Sequence, residues 1–262
     1  MIFKKLSKEL GCLSTTDLPA SPAGIMLAGR RLGKAFCGRQ WQEGAVVRIA
    51  GVVLAGGRSR RMGRDKSLLR LGGDTAPTLL ERSVALLRPL CEQVWVSCRA
   101  GQTYARQTCV PDLLPASGPI CGVHAALVRA RAEGIPAVLA LSCDLPLMHT
   151  GMLRRLVAAF AASPRQSLMT AFMAPNGWTE SLAAIYRVEA APFLEAAVAR
   201  GNLKMREAVP LELQCFEKYG AEDARAFFNV NTPQDLQQAA TALGGTIAQE
   251  TGEKFAEIPD RA

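Results

Sequence analysis

Cysteine pairs at metal-binding spacing, long apolar runs, a histidine-based catalytic group and the two common nucleotide-binding glycine motifs are all missing from this chain of 262 residues. Its eight cysteines, at 12, 37, 91, 98, 109, 121, 143 and 215, include no C-x-x-C and no Cys/His pair at ligand spacing. Zinc modules are thereby excluded, and a disulfide framework is not expected in a chain this long without a secretory apolar core. Reduced, mostly buried thiols in a cytoplasmic protein are the expectation. No apolar run approaches the roughly 20 residues that a membrane helix needs, so no membrane partner is expected. His124 and His149 have no serine or cysteine partner at a recognisable elbow, which argues against a triad and leaves packing or helix capping for both. Neither G-x-x-x-x-G-K-[ST] nor G-x-G-x-x-G occurs, which sets aside P-loop ATPases and dinucleotide-dependent dehydrogenases.

The bulk composition is that of an ordinary globular chain, 49% hydrophobic and 21% charged, and the length suits one domain with a substantial core. The net charge of +8 is uneven. Residues 1–48 hold eight of the lysines and arginines against only Glu9, Asp17 and Glu43. Nucleic-acid binding is therefore not expected, and a small polyanionic substrate accounts at least as well for the arginines clustered after residue 57. Residues 1–47 mix Gly, Pro, Ser and Thr with charge and show no period, so they read as a poorly ordered basic extension, or as the product of an upstream start codon. A domain over 48–243 follows, then a frayed tail over 244–262.

The most informative stretch is Ile49 to Ser67. An apolar, β-branched run ends at Gly56-Gly57 and opens at once onto Arg58, Arg60, Arg61, Arg64 and Lys66. Paired glycines let successive N–H groups approach an anion closely, and the cations supply long-reach charge for a triphosphate. This is the pattern of a buried strand leading into a phosphate-binding loop.

Beyond it, the spacing of Leu79, Leu80, Val84, Leu87 and Leu90 predicts a helix over 78–90. Strands are expected at 94–98 and 108–110, a helix from Gly118-Pro119 to Gly134, and a strand at 137–144. Strand and helix in alternation imply an α/β fold, a mainly parallel sheet covered on both faces. Ligands bind such sheets at the carboxyl ends of the strands, and three of those ends deliver Gly56-Gly57, Asp112 and Asp144 to one edge. Asp144, stopped by Leu145-Pro146, suits Mg²⁺, which takes one or two carboxylates plus phosphate oxygens. Asp112 could accept from the N1–H and exocyclic amine of guanine or from a ribose hydroxyl.

In the second half, strands at 167–174 and 181–186 flank an Asn176-Gly177 turn, and a helix spans 192–200. The run Ala226-Phe227-Phe228-Asn229-Val230-Asn231-Thr232-Pro233 reads as an apolar strand reaching two asparagines, followed by a helix capped by Thr232 with Pro233 in its first turn.

Four ordered segments carry a family resemblance over about residues 48 to 240. Leu54-Ala55-Gly56-Gly57-x-Ser59-x-Arg61-Met62-Gly63-x-Asp65-Lys66 resembles the signature loop of the molybdenum cofactor guanylyltransferase family, and Leu141-Ser142-Cys143-Asp144-Leu145-Pro146 resembles its metal-binding turn. Asp112 with Gly118-Pro119-x-x-Gly122 resembles its second nucleotide segment, with Ser97 standing where many members have Asn. Residues 227–236 are similar to its F-x-N-x-N-T-P-x-D-L run, and 201–206 to its short basic loop.

The resemblance implies a Rossmann-like fold of nucleotidyltransferase type and transfer of GMP from GTP to the terminal phosphate of molybdopterin. It assigns GTP contacts to Leu54, Ala55, Gly56, Gly57, Arg61, Lys66, Ser97, Asp112 and Asp144, with Lys66 and Asp144 catalytic and Asp144 on Mg²⁺. Asn229 and Asn231 fall on the molybdopterin side. Proteins that deliver molybdopterin or receive the product are the implied partners, for a monomer or weak oligomer. A sister enzyme using CTP, a sugar-phosphate nucleotidyltransferase, and a non-catalytic carrier of nucleotide or cofactor are the alternatives.

Overall fold

The computed structural model describes residues 47–55, 65–73, 75–116 and 118–244. Its first strand, β1 (Ala50–Leu54), is buried at every position, as a β-branched run in the middle of a sheet should be. A helix, α1 (Leu79–Leu87), follows, started by a reciprocal capping box. The Thr78 hydroxyl accepts from Glu81 N at 3.1 Å, and the Glu81 carboxylate accepts from Thr78 N at 2.8 Å. Then come β2 (Val94–Cys98), β3 (Thr108–Pro111), α2 (Pro119–Ala132), β4 (Ala137–Ser142) and α3 (Thr150–Ala162).

The second half contributes β5 (Met169–Met173), β6 (Thr179–Arg187), α4 (Ala191–Ala199), the single turn α5 (Met205–Ala208), β7 (Gln214–Lys218) and α6 (Pro233–Ala242). The sheet has seven strands in the order β3-β2-β1-β4-β6-β5-β7. β6 alone runs against the rest, antiparallel to both β4 and β5, while the other adjacent pairs are parallel. The expected mainly parallel α/β sheet is therefore present.

Neighbouring strand residues point to opposite faces, and each face has its own core. Val52, Leu54 and Trp95 pack with Ile120, Val123 and Leu127 of α2 and Leu194 of α4. Val53, Val96 and Leu139 pack on the other side with Val84 and Leu87 of α1 and Met152, Leu153 and Leu156 of α3. Among the described residues no helix is long and apolar enough to cross a membrane, and the cysteines at 91, 98, 109, 121, 143 and 215 are free thiols.

Three expectations differ from the structure. Residues 226–230 are not a strand: Ala224–Phe227 form a 3-10 turn, and the chain then runs extended outside the sheet. The reason is packing, since Phe227 lies tilted against Tyr219 at 4.4 Å and edge-on to Phe172 at 5.3 Å between centroids, leaving the sheet edge to β7, a strand the sequence reading missed. His149 holds the N-cap position of α3 but makes no side-chain cap, and the strand before it ends at Ser142, two residues short of Asp144. The turn at Asn176-Gly177 is as expected, with Gly177 at φ 81° and the Asn176 side-chain Oδ1 accepting from Trp178 N at 2.9 Å.

Candidate active site

Sheet register decides which side chains meet at the carboxyl edge. Leu54, the last residue of β1, stands opposite Ser97 on β2 and Ser142 on β4. Cys143 N donates to Leu54 O at 3.4 Å, tying the turn after β4 to the end of β1. Leu54 and Ala55 are themselves buried in opposite cores, so only their backbone is left to face a ligand. Gly56, Gly57 and Arg61 lie outside the described residues.

Asp144 sits in this turn, where burial pushes its carboxyl above the ordinary range while the Ser142 hydroxyl and the Lys66 ammonium oppose that shift. Its Oδ1 is buried without a hydrogen-bond partner among the protein groups. Its carbonyl accepts from Val230 N at 2.9 Å, which brings the segment after β7 onto the turn. From the other side Lys66, in the 3-10 turn Lys66–Leu68, donates through Nζ to Val230 O at 3.1 Å and to Asn231 Oδ1 at 2.9 Å. Lys66, Asp144 and Asn231 are thus brought together by one backbone segment.

Asn229 is solvent-exposed, whereas Asn231 is engaged by Lys66 and by the cap of α6, its N–H donating to Asp235 at 2.8 Å. Thr232 and Asp235 form that cap reciprocally, with Pro233 in the first turn as expected. Both asparagines are exposed.

Asp112 and Ser97 form a second group toward the other edge of the sheet. Asp112 N donates to Cys98 O at 3.0 Å, and burial raises the carboxyl, opposed by the Arg99 charge and the Ser97 hydroxyl. Its Oδ1 is also buried and unpartnered. Ser97 is 5% exposed, pressed against Gly122 of α2 so closely that a Cβ at 122 would collide with its hydroxyl. Glycine is required there by the approach of helix to strand.

The sequence reading passed over Tyr104, in the connection between β2 and β3. Its hydroxyl donates to Asp65 Oδ2 at 3.0 Å and lies 3.5 Å from Ala55 O, touching the residue on either side of 56–64. A lone tyrosine in an otherwise polar segment was the only signal for it.

A mainly parallel sheet whose carboxyl edge presents a lysine and two carboxylates, each with one buried and unpartnered oxygen, defines an α/β protein of nucleotidyltransferase type. The chain belongs to the MobA-like NTP transferase domain family, whose model matches residues 51–213. It is 34% identical over 208 residues to the probable molybdenum cofactor guanylyltransferase of Chloroflexus aggregans, covering 76% of this chain and 96% of that one. It is 36% identical over 199 residues to the molybdenum cofactor guanylyltransferase of Rhizobium johnstonii, covering 73% and 91%. Among solved structures, molybdopterin-guanine dinucleotide biosynthesis protein A from Archaeoglobus fulgidus superposes with a TM-score of 0.57 at 26% identity, covering 74% of this chain and 98% of that one. The 2-C-methyl-D-erythritol 4-phosphate cytidylyltransferase of Thermus thermophilus shares the fold at a TM-score of 0.54 and 18% identity, covering 74% of this chain and 98% of that one.

Proposed function

We propose that this protein transfers GMP from GTP to the terminal phosphate of molybdopterin, yielding the guanine dinucleotide cofactor and pyrophosphate. The names of its relatives support that substrate pair. The observation that carries the reading is the meeting of Lys66, Asn231 and Asp144 at one sheet edge, with an Asp144 oxygen buried and unpartnered.

Such an oxygen costs stability unless something else meets it, and a divalent cation fits. Among the described residues no group of three or more His, Cys, Asp and Glu could hold a metal alone. Mg²⁺ would therefore be held by Asp144 together with the nucleotide's phosphate oxygens, an arrangement that ion favours. When bound, it supplies screening of phosphate charge toward the incoming anion and the departing pyrophosphate.

Lys66 presents its cation at the same edge, where it neutralises the triphosphate, and Gly56, Gly57 and Arg61 extend that contact. Asp112 stands at the end of β3, three strands from the end of β4, about 14 Å at the usual strand spacing. That span matches an extended nucleotide with its base and ribose at Asp112 and Ser97 and its phosphates at β1 and β4. The Asp112 carboxylate accepts from guanine N1–H and the exocyclic amine, a pair of donors that cytosine lacks. Asn231, with Asn229 beyond it, faces the acceptor. Rate enhancement then comes from holding the acceptor phosphate in line with the α-phosphorus and stabilising charge on the leaving group.

The test is pyrophosphate release with Mg²⁺, a molybdopterin-loaded carrier protein and each of the four nucleoside triphosphates in turn. Turnover with GTP alone is expected. Preference for CTP would make the protein a sister cytidylyltransferase, and GTP binding without pyrophosphate release would make it a carrier.

A further inference from the structure

Asp65 and Asp144 are both carboxylates beside Lys66, yet their surroundings differ in kind. Asp65 Oδ1 accepts from Ser67 N at 3.0 Å and from the Ser67 hydroxyl at 2.7 Å, capping the one-turn helix that carries Lys66. Asp65 Oδ2 accepts from the Tyr104 hydroxyl at 3.0 Å, with Gln102 Nε2 at 3.4 Å. Gln102 Nε2 also donates to the Tyr104 hydroxyl at 2.8 Å and the Ser67 side chain bonds to it as well, so the phenol is held from several sides while it donates to Asp65. Asp65 is committed to protein donors at both oxygens and has little left for a ligand.

Tyr104 is itself fixed. It is 7% exposed, its ring lies in the core shared by α1 and α3, and its own N–H donates to Cys109 Sγ at 3.3 Å. Ser67 beneath Asp65 is fully buried. The hydroxyl thus links a rigid part of the β2–β3 connection to the cap of the turn that aims Lys66, and Lys66 Nζ ends beside the Asp144 segment. Burial pushes the Tyr104 phenol up to about 12, which keeps it a hydrogen-bond donor at neutral pH.

We propose that Tyr104 is a positioning residue for nucleotide binding: by donating to Asp65 it holds the turn that presents Lys66 to the triphosphate. The proposal rests on the GMP-transfer reading above. Displacements of about 1 Å at a positioned group cost as much as 10²-fold in rate, so a single anchoring bond one residue from Lys66 has leverage.

Tyr104→Phe keeps the buried ring and removes only the hydroxyl. The measurements are the KM for GTP, the KM for the pterin acceptor and kcat in pyrophosphate release, the GTP dissociation constant by calorimetry, amide hydrogen exchange at residues 65–69, and the thermal midpoint. The KM and dissociation constant for GTP should rise about ten-fold, the factor expected for losing a hydrogen bond to a carboxylate. The acceptor KM should stay within about two-fold, exchange at residues 65–69 should speed up, and the midpoint should fall by no more than about 3 °C. Gln102→Ala, which removes the donor to the phenol together with the longer contact to Asp65 Oδ2, should reproduce a fraction of the same shift.

An unchanged GTP KM overturns the proposal, even with faster exchange. So does a loss shared equally by both substrates and tracking a large fall in midpoint, which marks a merely structural tyrosine. A wild-type protein that binds GTP but releases no pyrophosphate overturns the transfer reading and leaves Tyr104 to be judged by the GTP dissociation constant on the same ten-fold criterion. A wild type that binds no GTP overturns both.

Discussion

Two carboxylates lie at the same edge of the sheet on neighbouring strands, Asp144 just after the carboxyl end of β4 and Glu180 near the start of the antiparallel β6, and burial pushes both above the ordinary range. Around Glu180 the protein itself supplies a partner. Its Oε1 accepts from the Tyr219 hydroxyl at 2.8 Å, Tyr219 packs on Phe172 and Phe227, and nearby Arg155 is neutralised by Glu217 at 3.0 Å and Asp223 at 2.5 Å. Around Asp144 one oxygen is buried and unpartnered, and the neighbouring cation comes from a separate turn. A raised carboxyl therefore does not mark a site by itself. The difference lies in whether the protein has already answered the group.

The sharpest way to break this contrast is substitution at both positions. Asp144→Ala is expected to cut turnover about 10³-fold, the scale of losing electrostatic stabilisation of a leaving group, while the thermal midpoint stays level or rises because a buried unmet acceptor is gone. Glu180→Ala should leave turnover within about three-fold, since no reacting group depends on it. Equal losses at the two positions would erase the distinction. Lys66→Ala comes next, with about a 10²-fold fall in kcat/KM for GTP and retained folding by circular dichroism. Turnover near wild type in that variant removes Lys66 from the triphosphate.

Smaller effects sharpen the Glu180 side. Tyr219→Phe should cost about 1 kcal/mol in denaturant unfolding, the net worth of one hydrogen bond, with GTP turnover unchanged. Glu180→Gln tests the sign of the pH dependence. With the folded carboxyl raised, the unfolded chain ionises first as pH increases, so Glu180 erodes stability from the ordinary carboxylate range up through its raised value. The stability of Glu180→Gln relative to wild type should therefore grow as pH rises across that window, as read from paired melting curves. A flat difference would show that Tyr219 compensates fully for the burial.

The parts of this contrast that the sequence exposes are unequal. Asp144 was legible because it ends a continuous apolar run and precedes Leu-Pro, a local pattern that places a carboxylate at a strand end. Asp112 was legible for the same reason after Thr108–Pro111. Glu180 gave no sign of its burial, because its partner Tyr219 is 39 residues away, just past the end of β7. The misreading of 226–230 has the same origin. Two adjacent phenylalanines before a valine satisfy strand propensity, but the aromatic cluster with Phe172 and Tyr219 overrides it. Ser97 stood at the right strand end, while its contact with Gly122 depends on how closely α2 packs.

What the sequence by itself determined is what short-range chemistry controls. Apolar periodicity set the alternation of strands and helices, and the Thr78 and Thr232 caps set two helix starts. Only the tertiary structure decided which strand took the last place at the sheet edge, that Tyr104 reaches Asp65, and that Lys66 meets a carbonyl 164 residues further along. Hydrogen bonds across such separations are specified by the packing of whole elements, and no residue in a local window encodes the distant group it will touch.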